Sequence, residues 1–68
     1  MTRLSENFPD GHKSVYVKCG CGNWNIRTLH PDGRRGRIDR EFSSLAAARG
    51  HSWFCFRSRQ RTKRGGNL

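Results

Sequence analysis

Two stretches in the first half of the chain alternate β-forming and polar residues, a pattern typical of half-buried strands. Residues 15–19 would place Val15, Val17 and Cys19 on one face of an extended strand, because successive side chains point to opposite faces. Residues 24–29 alternate in the same way after a turn that contains two glycines. The pattern therefore predicts two antiparallel strands joined by a short turn.

The second half of the chain carries turn and helix signals. A His-Pro-Asp-Gly turn at residues 30–33 precedes a more polar segment, residues 34–41, which predicts a third strand. Residues 42–50 contain a serine N-cap, three consecutive alanines, a cation near the end and a final glycine, which together predict a short helix. Residues 53–56, Trp-Phe-Cys-Phe, are consistent with a fourth strand.

These elements predict one α+β domain over residues 14–57: a small antiparallel sheet of three to four short strands with one short helix. The chain has 68 residues, which is enough for one small core and excludes a second domain. Residues 1–13 are polar and interrupted by Pro9, so we expect a flexible N-terminal arm. Residues 58–68 are basic and almost without apolar side chains, which predicts a disordered basic tail.

The charge of the chain indicates a polyanionic partner. Its 14 Lys and Arg against 5 Asp and Glu give a net charge of +9, more than solubility requires in so small a domain. Most of these cations are arginines, whose planar guanidinium pairs with phosphate and guanine and stacks on bases. DNA or RNA is therefore favoured over a membrane surface, for which the sequence has no amphipathic helix. The sequence also lacks a bilayer-spanning stretch and the apolar segment of a signal peptide, which predicts a cytoplasmic protein.

Cysteine and histidine supply a candidate zinc site. Three cysteines cannot all pair within one chain, so we expect thiols or metal ligands rather than a disulfide framework. Three thiolates and one imidazole are a ligand set that a structural Zn²⁺ takes, and the candidates are Cys19, Cys21, His51 and Cys55. One zinc ion would stabilise a chain in which only 32% of residues are hydrophobic. The alternative is that the cysteines are small buried hydrophobic residues and His51 is an ordinary residue.

Two groups of basic residues are candidates for nucleic-acid contacts. The tail suits phosphate contacts, which give affinity without sequence specificity, and its candidates are Arg57, Arg59, Arg61, Lys63 and Arg64. The alternative for the tail is a solvated charged end. In the sheet, Asn25, Arg27 and Arg37 are residue types that pair with base edges. Four aromatic residues would either stack on bases or form the core, namely Trp24, Trp53, Phe54 and Phe56.

Three segments together resemble a known kind of module. Residues 22–27 form a tryptophan strand, residues 32–37 a basic turn, and residues 42–48 a helix start of the Phe-x-Ser type. About half of the chain is similar in this way to the three-stranded-sheet-plus-helix modules of plant AP2 domains and of the arm-site-binding domains of tyrosine integrases. The resemblance implies that the sheet docks into the DNA major groove through Arg27, Arg34, Arg35 and Arg37. Those modules do not use the cysteines of this chain, so a small zinc-finger-like phage or plasmid regulator is a competing likeness.

Together these patterns predict a nucleic-acid-binding protein, a small DNA-binding regulator of the transcription-factor kind, and not an enzyme. The five acidic residues lie in arm, turn and strand-edge contexts without a paired-carboxylate or nucleophile–base arrangement, and so small a domain leaves little room for a small-molecule substrate. The alternative function is a protein-interaction module that binds an acidic surface of a host polymerase or nuclease. The sequence leaves the choice between DNA and RNA open.

Overall fold

A computed structural model of the chain describes the backbone of residues 2–65 and the side chains of residues 2–61. Within these residues the fold consists of four strands and one helix: β1 (Arg3–Asn7), β2 (Lys13–Lys18), β3 (Trp24–Leu29), β4 (Arg35–Phe42) and α1 (Leu45–Gly65). The strands form one antiparallel sheet in the order β1-β2-β3-β4. Helix α1 packs against β2, β3 and β4. The α+β class with a small antiparallel sheet is confirmed.

The three predicted strands are present close to their predicted bounds. Strand β2 begins two residues before the predicted segment, β3 has the predicted bounds, and β4 is displaced by one residue. In the β2–β3 pair Tyr16 lies opposite Ile26 and Val15 lies opposite Arg27. Because cross-strand partners share a face, this register separates the two sides of the sheet.

One face of the sheet, which we call the covered face, carries the core under α1. Tyr16 and Ile26 are each only 1% exposed, and they cluster with buried Trp24 and with Ala48 of the helix. Phe42 and Leu45 pack against the margin of this cluster. Ala48 is fully buried, and its small side chain lets the helix approach the sheet closely. The opposite side of the sheet, which we call the open face, has no element of the described chain packed against it.

Two register shifts in the β3–β4 pair control which side chains of β4 reach each face. In each shift β4 has one residue more than β3. In the shift nearer the helix in sequence, for example, Ile26 pairs with Asp39 and Trp24 with Phe42. At the second bulge Glu41 adopts a φ of 69°, a left-handed conformation that is uncommon outside glycine. The bulge directs both Asp39 and Phe42 towards the covered face.

The predicted flexible arm is wrong for residues 3–7, which form the edge strand β1. Arg3 pairs with Val17 and Asn7 with Lys13, so the backbone of this segment completes the ladder of β2. The next residue, Phe8, is buried against the helix. Sequence patterning missed the strand because an edge strand has few apolar positions.

The predicted start of the helix is confirmed and its predicted end is wrong. The Ser44 hydroxyl accepts a hydrogen bond from Ala47 N at 3.1 Å, which is the expected N-cap. The helix does not end at Gly50 but continues to Gly65. It continues because side chains that face the sheet recur every three or four residues after the glycine, and these contacts outweigh the roughly 1 kcal/mol cost of an internal glycine. These side chains continue the row of Ala48, which precedes the glycine, and they are Ser52, Cys55, Phe56 and Arg59.

Two further predictions change with the longer helix. Residues 53–56 are helical and do not form a fourth strand, since the fourth strand of the sheet is β1. The tail predicted to be disordered over residues 58–68 is helical up to residue 65, and residues 66–68 lie outside the described part of the chain. No helix of the described residues is long and apolar enough to cross a membrane.

Glu6 joins the edge strand to the helix. Its carboxylate accepts hydrogen bonds from Tyr16 OH at 2.9 Å, Trp53 Nε1 at 3.1 Å and Arg49 Nη2 at 3.1 Å. The Arg49 hydrogen bond lowers the pKa of Glu6, with smaller contributions from Tyr16 and Trp53, and these outweigh the opposing effect of partial burial. The ionised carboxylate is therefore the form that stabilises the fold.

This pKa shift predicts how the stability depends on pH. A carboxyl with a lowered pKa in the folded state stabilises the fold fully above its unfolded pKa of about 4.3, and the stabilisation is lost as the pH falls through the folded pKa. We expect Glu6→Gln to lower the free energy of unfolding near neutral pH by about 1–2 kcal/mol and to flatten its acid dependence. Urea unfolding between about pH 3 and pH 7 measures both effects. Glu41→Gln, at an exposed carboxylate with no ion pair among the described residues, is the matched control. Equal acid profiles for the two variants would contradict the assignment.

Candidate nucleic-acid interface

The open face presents a set of basic side chains. Val15 and Val17 alternate with buried Tyr16 and therefore point to this face, and the residues paired with them do the same. The same register places Leu29 on the open face, together with its two cross-strand partners on β2 and β4. The cations that share the open face are Arg3, Lys13, Arg27, Arg35 and Arg40.

The ion pairs of the protein lie elsewhere. Four carboxylates each hold an arginine, in the pairs Glu6–Arg49, Asp10–Arg59, Asp32–Arg34 and Asp39–Arg37, with N–O distances of 3.1, 2.9, 2.6 and 3.0 Å. Three of these pairs lie on the helix side of the sheet and the fourth lies in the β3–β4 turn. Within the described residues none of the five cations of the open face is in an ion pair. Eight of the described Lys and Arg side chains have no ion pair, and five of them lie on the open face; the other three are Lys18, Arg57 and Arg61.

Two of these carboxylates have lowered pKa values. For Asp32, the backbone N–H of Arg34 lowers the pKa most, and the Arg34 side chain adds to the effect. For Asp10, burial alone would raise the pKa, but hydrogen bonds from Arg59 and from the backbone N–H of His12 outweigh it. Both carboxylates therefore stay ionised near neutral pH and keep their arginines occupied.

A shallow depression of about 220 Å³ lies in the middle of the open face. Its side-chain lining combines two guanidinium groups with aliphatic surface, and the residues are Val17, Asn25, Arg27, Ile38 and Arg40. Ile38 is 42% exposed; the other large aliphatic strand residue exposed to this extent within the described residues is Leu4, which pairs with Tyr16 and so belongs to the covered face. The depression thus offers hydrogen-bond donors and an apolar contact side by side.

Asn25 is not free to pair with a base, although its residue type suggested that role. Its Nδ2 donates a hydrogen bond to Cys19 Sγ at 3.0 Å, and its Oδ1 accepts one from Glu41 N at 3.2 Å. The amide therefore links the β2–β3 turn to the bulge of β4. Asn25 is a positioning residue of the open face.

The four sheet arginines singled out from the sequence are divided between different surfaces. Arg27 and Arg35 lie on the open face. Arg34 lies in the turn and Arg37 on the helix side, each held by an aspartate. Sequence reasoning missed Arg3 because residues 1–13 were taken as an arm. It missed Arg40 because the bulges of β4 break the simple alternation.

The predicted tail residues also differ from one another. Arg57 and Arg61 are exposed on the helix, on the same side as Phe54, which is 62% exposed. Arg59 instead contacts Asp10 and lies 6.0 Å from the ring centres of Phe8 and Phe56. The two remaining tail candidates have side chains outside the described part of the chain; they are Lys63 and Arg64.

Most of the candidate stacking aromatics belong to the interior. Trp24 is in the core cluster. Trp53 and Phe56 pack on Phe8 with ring-centre distances of 4.7 and 5.6 Å. Of the four candidates only Phe54 presents most of its surface to solvent.

The four candidate zinc ligands are not brought together. Cys19 bonds Asn25 on the open face and Cys21 is exposed in the same turn, whereas the other two ligands belong to the helix on the opposite side of the sheet. On the helix, His51 Nε2 lies 3.5 Å from Cys55 Sγ. The alternative hypothesis that the three cysteines are buried residues of the core is wrong, since Cys21 is exposed and Cys19 and Cys55 are only partly buried. Among the residues that the structure describes, no three His, Cys, Asp or Glu side chains are grouped to hold a metal ion, so zinc binding stays a prediction.

A second cavity, of about 400 Å³, lies between the helix and the ends of β3 and β4. All three histidines of the chain line it, and the rings of His12 and His30 are 5.1 Å apart. Its two arginines, Arg37 and Arg59, are already neutralised by aspartates. Charge is therefore balanced around this cavity, in contrast to the open face.

Comparisons with protein-family models, with curated proteins and with solved structures found no match. The resemblance to AP2-like and integrase arm-binding modules therefore stays a prediction from the sequence. The function of the open face has to be argued from its charge, exposure and geometry.

Proposed function

We propose that this protein is a small DNA-binding regulator that places the open face of its sheet in the major groove of duplex DNA. The observation that carries the proposal is the separation of charge. On the helix side Arg37, Arg49 and Arg59 are each paired with a carboxylate, whereas the five cations of the open face form the largest group of described cations without an ion pair. A face of this kind attracts the phosphate backbone and releases its counterions.

The dimensions of the sheet support different contacts for different strands of this face, some in the groove and some with phosphates. The major groove is about 12 Å wide and admits a two-stranded ribbon, and strands are about 4.8 Å apart. The β3–β4 pair, which carries Arg27, Arg35 and Arg40, is the ribbon that enters the groove. Arg3 and Lys13 on the neighbouring strands are then at the rim, where phosphates lie.

Duplex DNA is favoured over single-stranded nucleic acid and over duplex RNA. Binding of single strands depends on exposed aromatic side chains on which bases stack. Trp24, Trp53 and Phe56 are occupied in the interior, which leaves Phe54 on the helix side, away from the cations of the open face. The deep, narrow major groove of duplex RNA does not admit a sheet.

The salt dependence of binding tests the proposal. The affinity for duplex DNA is expected to fall with salt with a log–log slope between about −2, if only the two rim cations each neutralise a phosphate, and about −4.5, if all five cations do. We expect this slope in a fluorescence anisotropy titration with a short labelled duplex of random sequence. A single-stranded RNA of equal length is the control and is expected to bind more weakly. Absence of DNA binding at low salt would overturn the proposal.

One observation favours a second function. Ile38 is an exposed aliphatic side chain among arginines, and such a combination also occurs in interfaces with acidic proteins. An acidic surface of another protein is therefore the candidate partner if duplex DNA does not bind at low salt.

A further inference from the structure

Ile38 is a large aliphatic residue that does not contribute to the core of the protein. It lies on the open face, where it is 42% exposed, and it is not part of the core cluster under the helix. It pairs directly with Arg27 across the β3–β4 ladder. A large aliphatic side chain is thus held next to a guanidinium that has no ion pair among the described residues.

Arg27 is held at the centre of the sheet. In its cross-strand row it lies between Val15 of β2 and Ile38 of β4, and it is half-buried. The strand pairing sets the backbone position of Arg27, and an arginine guanidinium can make two parallel hydrogen bonds with guanine O6 and N7, a common specific contact in the major groove. Val15 is buried, so Ile38 is the aliphatic neighbour of Arg27 in that row that a ligand can reach.

The most exposed apolar side chain of this depression is Ile38, and Arg27 and Arg40 line the same depression. One side chain supplies only a small part of the roughly 800 Å² that each partner buries in a stable protein interface, so Ile38 alone favours a small ligand group over a protein surface. A single exposed aliphatic side chain is instead suited to contact one methyl group. In the major groove the methyl group at C5 distinguishes thymine from the other bases.

We infer that Ile38 and Arg27 together recognise a thymine next to a guanine on adjacent base pairs, with Ile38 on the thymine methyl and Arg27 on the guanine edge. This inference rests on the proposed function. Residues paired across two strands lie about 5 Å apart, and successive base pairs are about 3.4 Å apart, so the two side chains reach neighbouring steps. Arg40 follows Ile38 by two residues on β4 and lines the same depression, which keeps the methyl contact within a positively charged surface.

The test begins with selection of duplexes from a random library by the full chain. Each thymine of a selected duplex is then replaced by deoxyuridine, which removes only the methyl group, and the affinity is measured by fluorescence anisotropy. We expect one thymine next to a guanine whose replacement weakens binding about fourfold, the effect of one buried methyl group. Replacing the adjacent guanine by 7-deazaguanine, which removes the N7 acceptor, is expected to weaken binding about tenfold.

Two variants connect these effects to the residues. Ile38→Ala is expected to bind the thymine and the uracil duplex equally, while it still distinguishes guanine from 7-deazaguanine. Arg27→Ala is expected to show the opposite pattern. The inference is overturned if DNA binds but thymine and uracil are equivalent at every position, or if Ile38→Ala keeps the discrimination. A chain that selects no duplex at all contradicts the proposed function itself, which is a separate result.

Discussion

Replacing Ile26 with alanine is expected to remove about 2–5 kcal/mol from the free energy of unfolding. Ile26 is 1% exposed and lies in the core cluster between Tyr16 and the helix, so truncation leaves a cavity that the small core has little means to fill. A chain of 68 residues has a total stability of about 3–10 kcal/mol by the usual value per residue. The variant therefore loses a large part of its stability, which urea unfolding followed by far-UV circular dichroism measures.

Ile38→Ala is the matched control for this experiment. It removes the same atoms from the neighbouring strand, but on the open face, where the side chain is 42% exposed. We expect a loss of less than about 1 kcal/mol, since most substitutions outside the core have small effects. If the two variants were equally destabilised, the assignment of the two faces would be wrong.

Replacing Arg27 and Arg40 together with alanine is expected to weaken DNA binding at least about thirtyfold. Each arginine that contacts a base contributes about 1–3 kcal/mol, so two of them contribute about 2–6 kcal/mol. Both side chains line the depression of the open face, and neither is in an ion pair among the described residues. Fluorescence anisotropy at constant salt gives the ratio of dissociation constants.

A charge-matched control separates position from net charge. The double variant Arg34→Ala, Arg37→Ala also lowers the net charge by two, but it removes arginines that are held by Asp32 and Asp39. We expect it to bind within about fivefold of the original protein, because the aspartates it releases add only long-range repulsion. Equal losses in both double variants would mean that binding depends on total charge and not on the open face.

The sheet was predictable from the sequence wherever one face of a strand is buried. Residues 24–29 alternate because Trp24 and Ile26 face the helix while Arg27 does not, and the strand has the predicted bounds. Strand β1 was not predictable in this way, because it is an edge strand whose pairing depends on backbone hydrogen bonds to β2. Its side chains are held by residues far away in the sequence, as Glu6 is by Arg49.

The end of the helix illustrates how packing overrides local signals. Gly50 is favourable as a C-terminal residue, and an aromatic segment follows it, so the local pattern predicted a helix end and then a strand. In the folded chain the rings of Trp53 and Phe56 instead pack on Phe8. The helical spacing of Trp53 and Phe56 lets each ring contact Phe8 and also lets the two rings contact each other. Phe8 lies in a segment predicted to be mobile, so the contact was not visible in the sequence.

The positions of the candidate nucleic-acid residues were predicted only in part, and the type of site stays a prediction. Basic strand residues indicated a nucleic-acid surface, and Arg27 and Arg35 do lie on the open face. Arg37 was assigned with them, but the bulges of β4 turn it towards Asp39. A bulge inserts one residue and reverses the faces of all that follow, which alternation alone does not reveal.

The contacts of Glu6 and Asp10 also determine when this domain can fold during synthesis. Glu6 reaches Arg49 and Trp53 across 43 and 47 positions of the chain, and Asp10 reaches Arg59 across 49. A nascent chain in which only the four strands have left the ribosome still lacks all three of these partners, because they lie on α1, which follows the strands in the chain. The final contacts therefore close long loops, so folding is completed only after the helix has emerged.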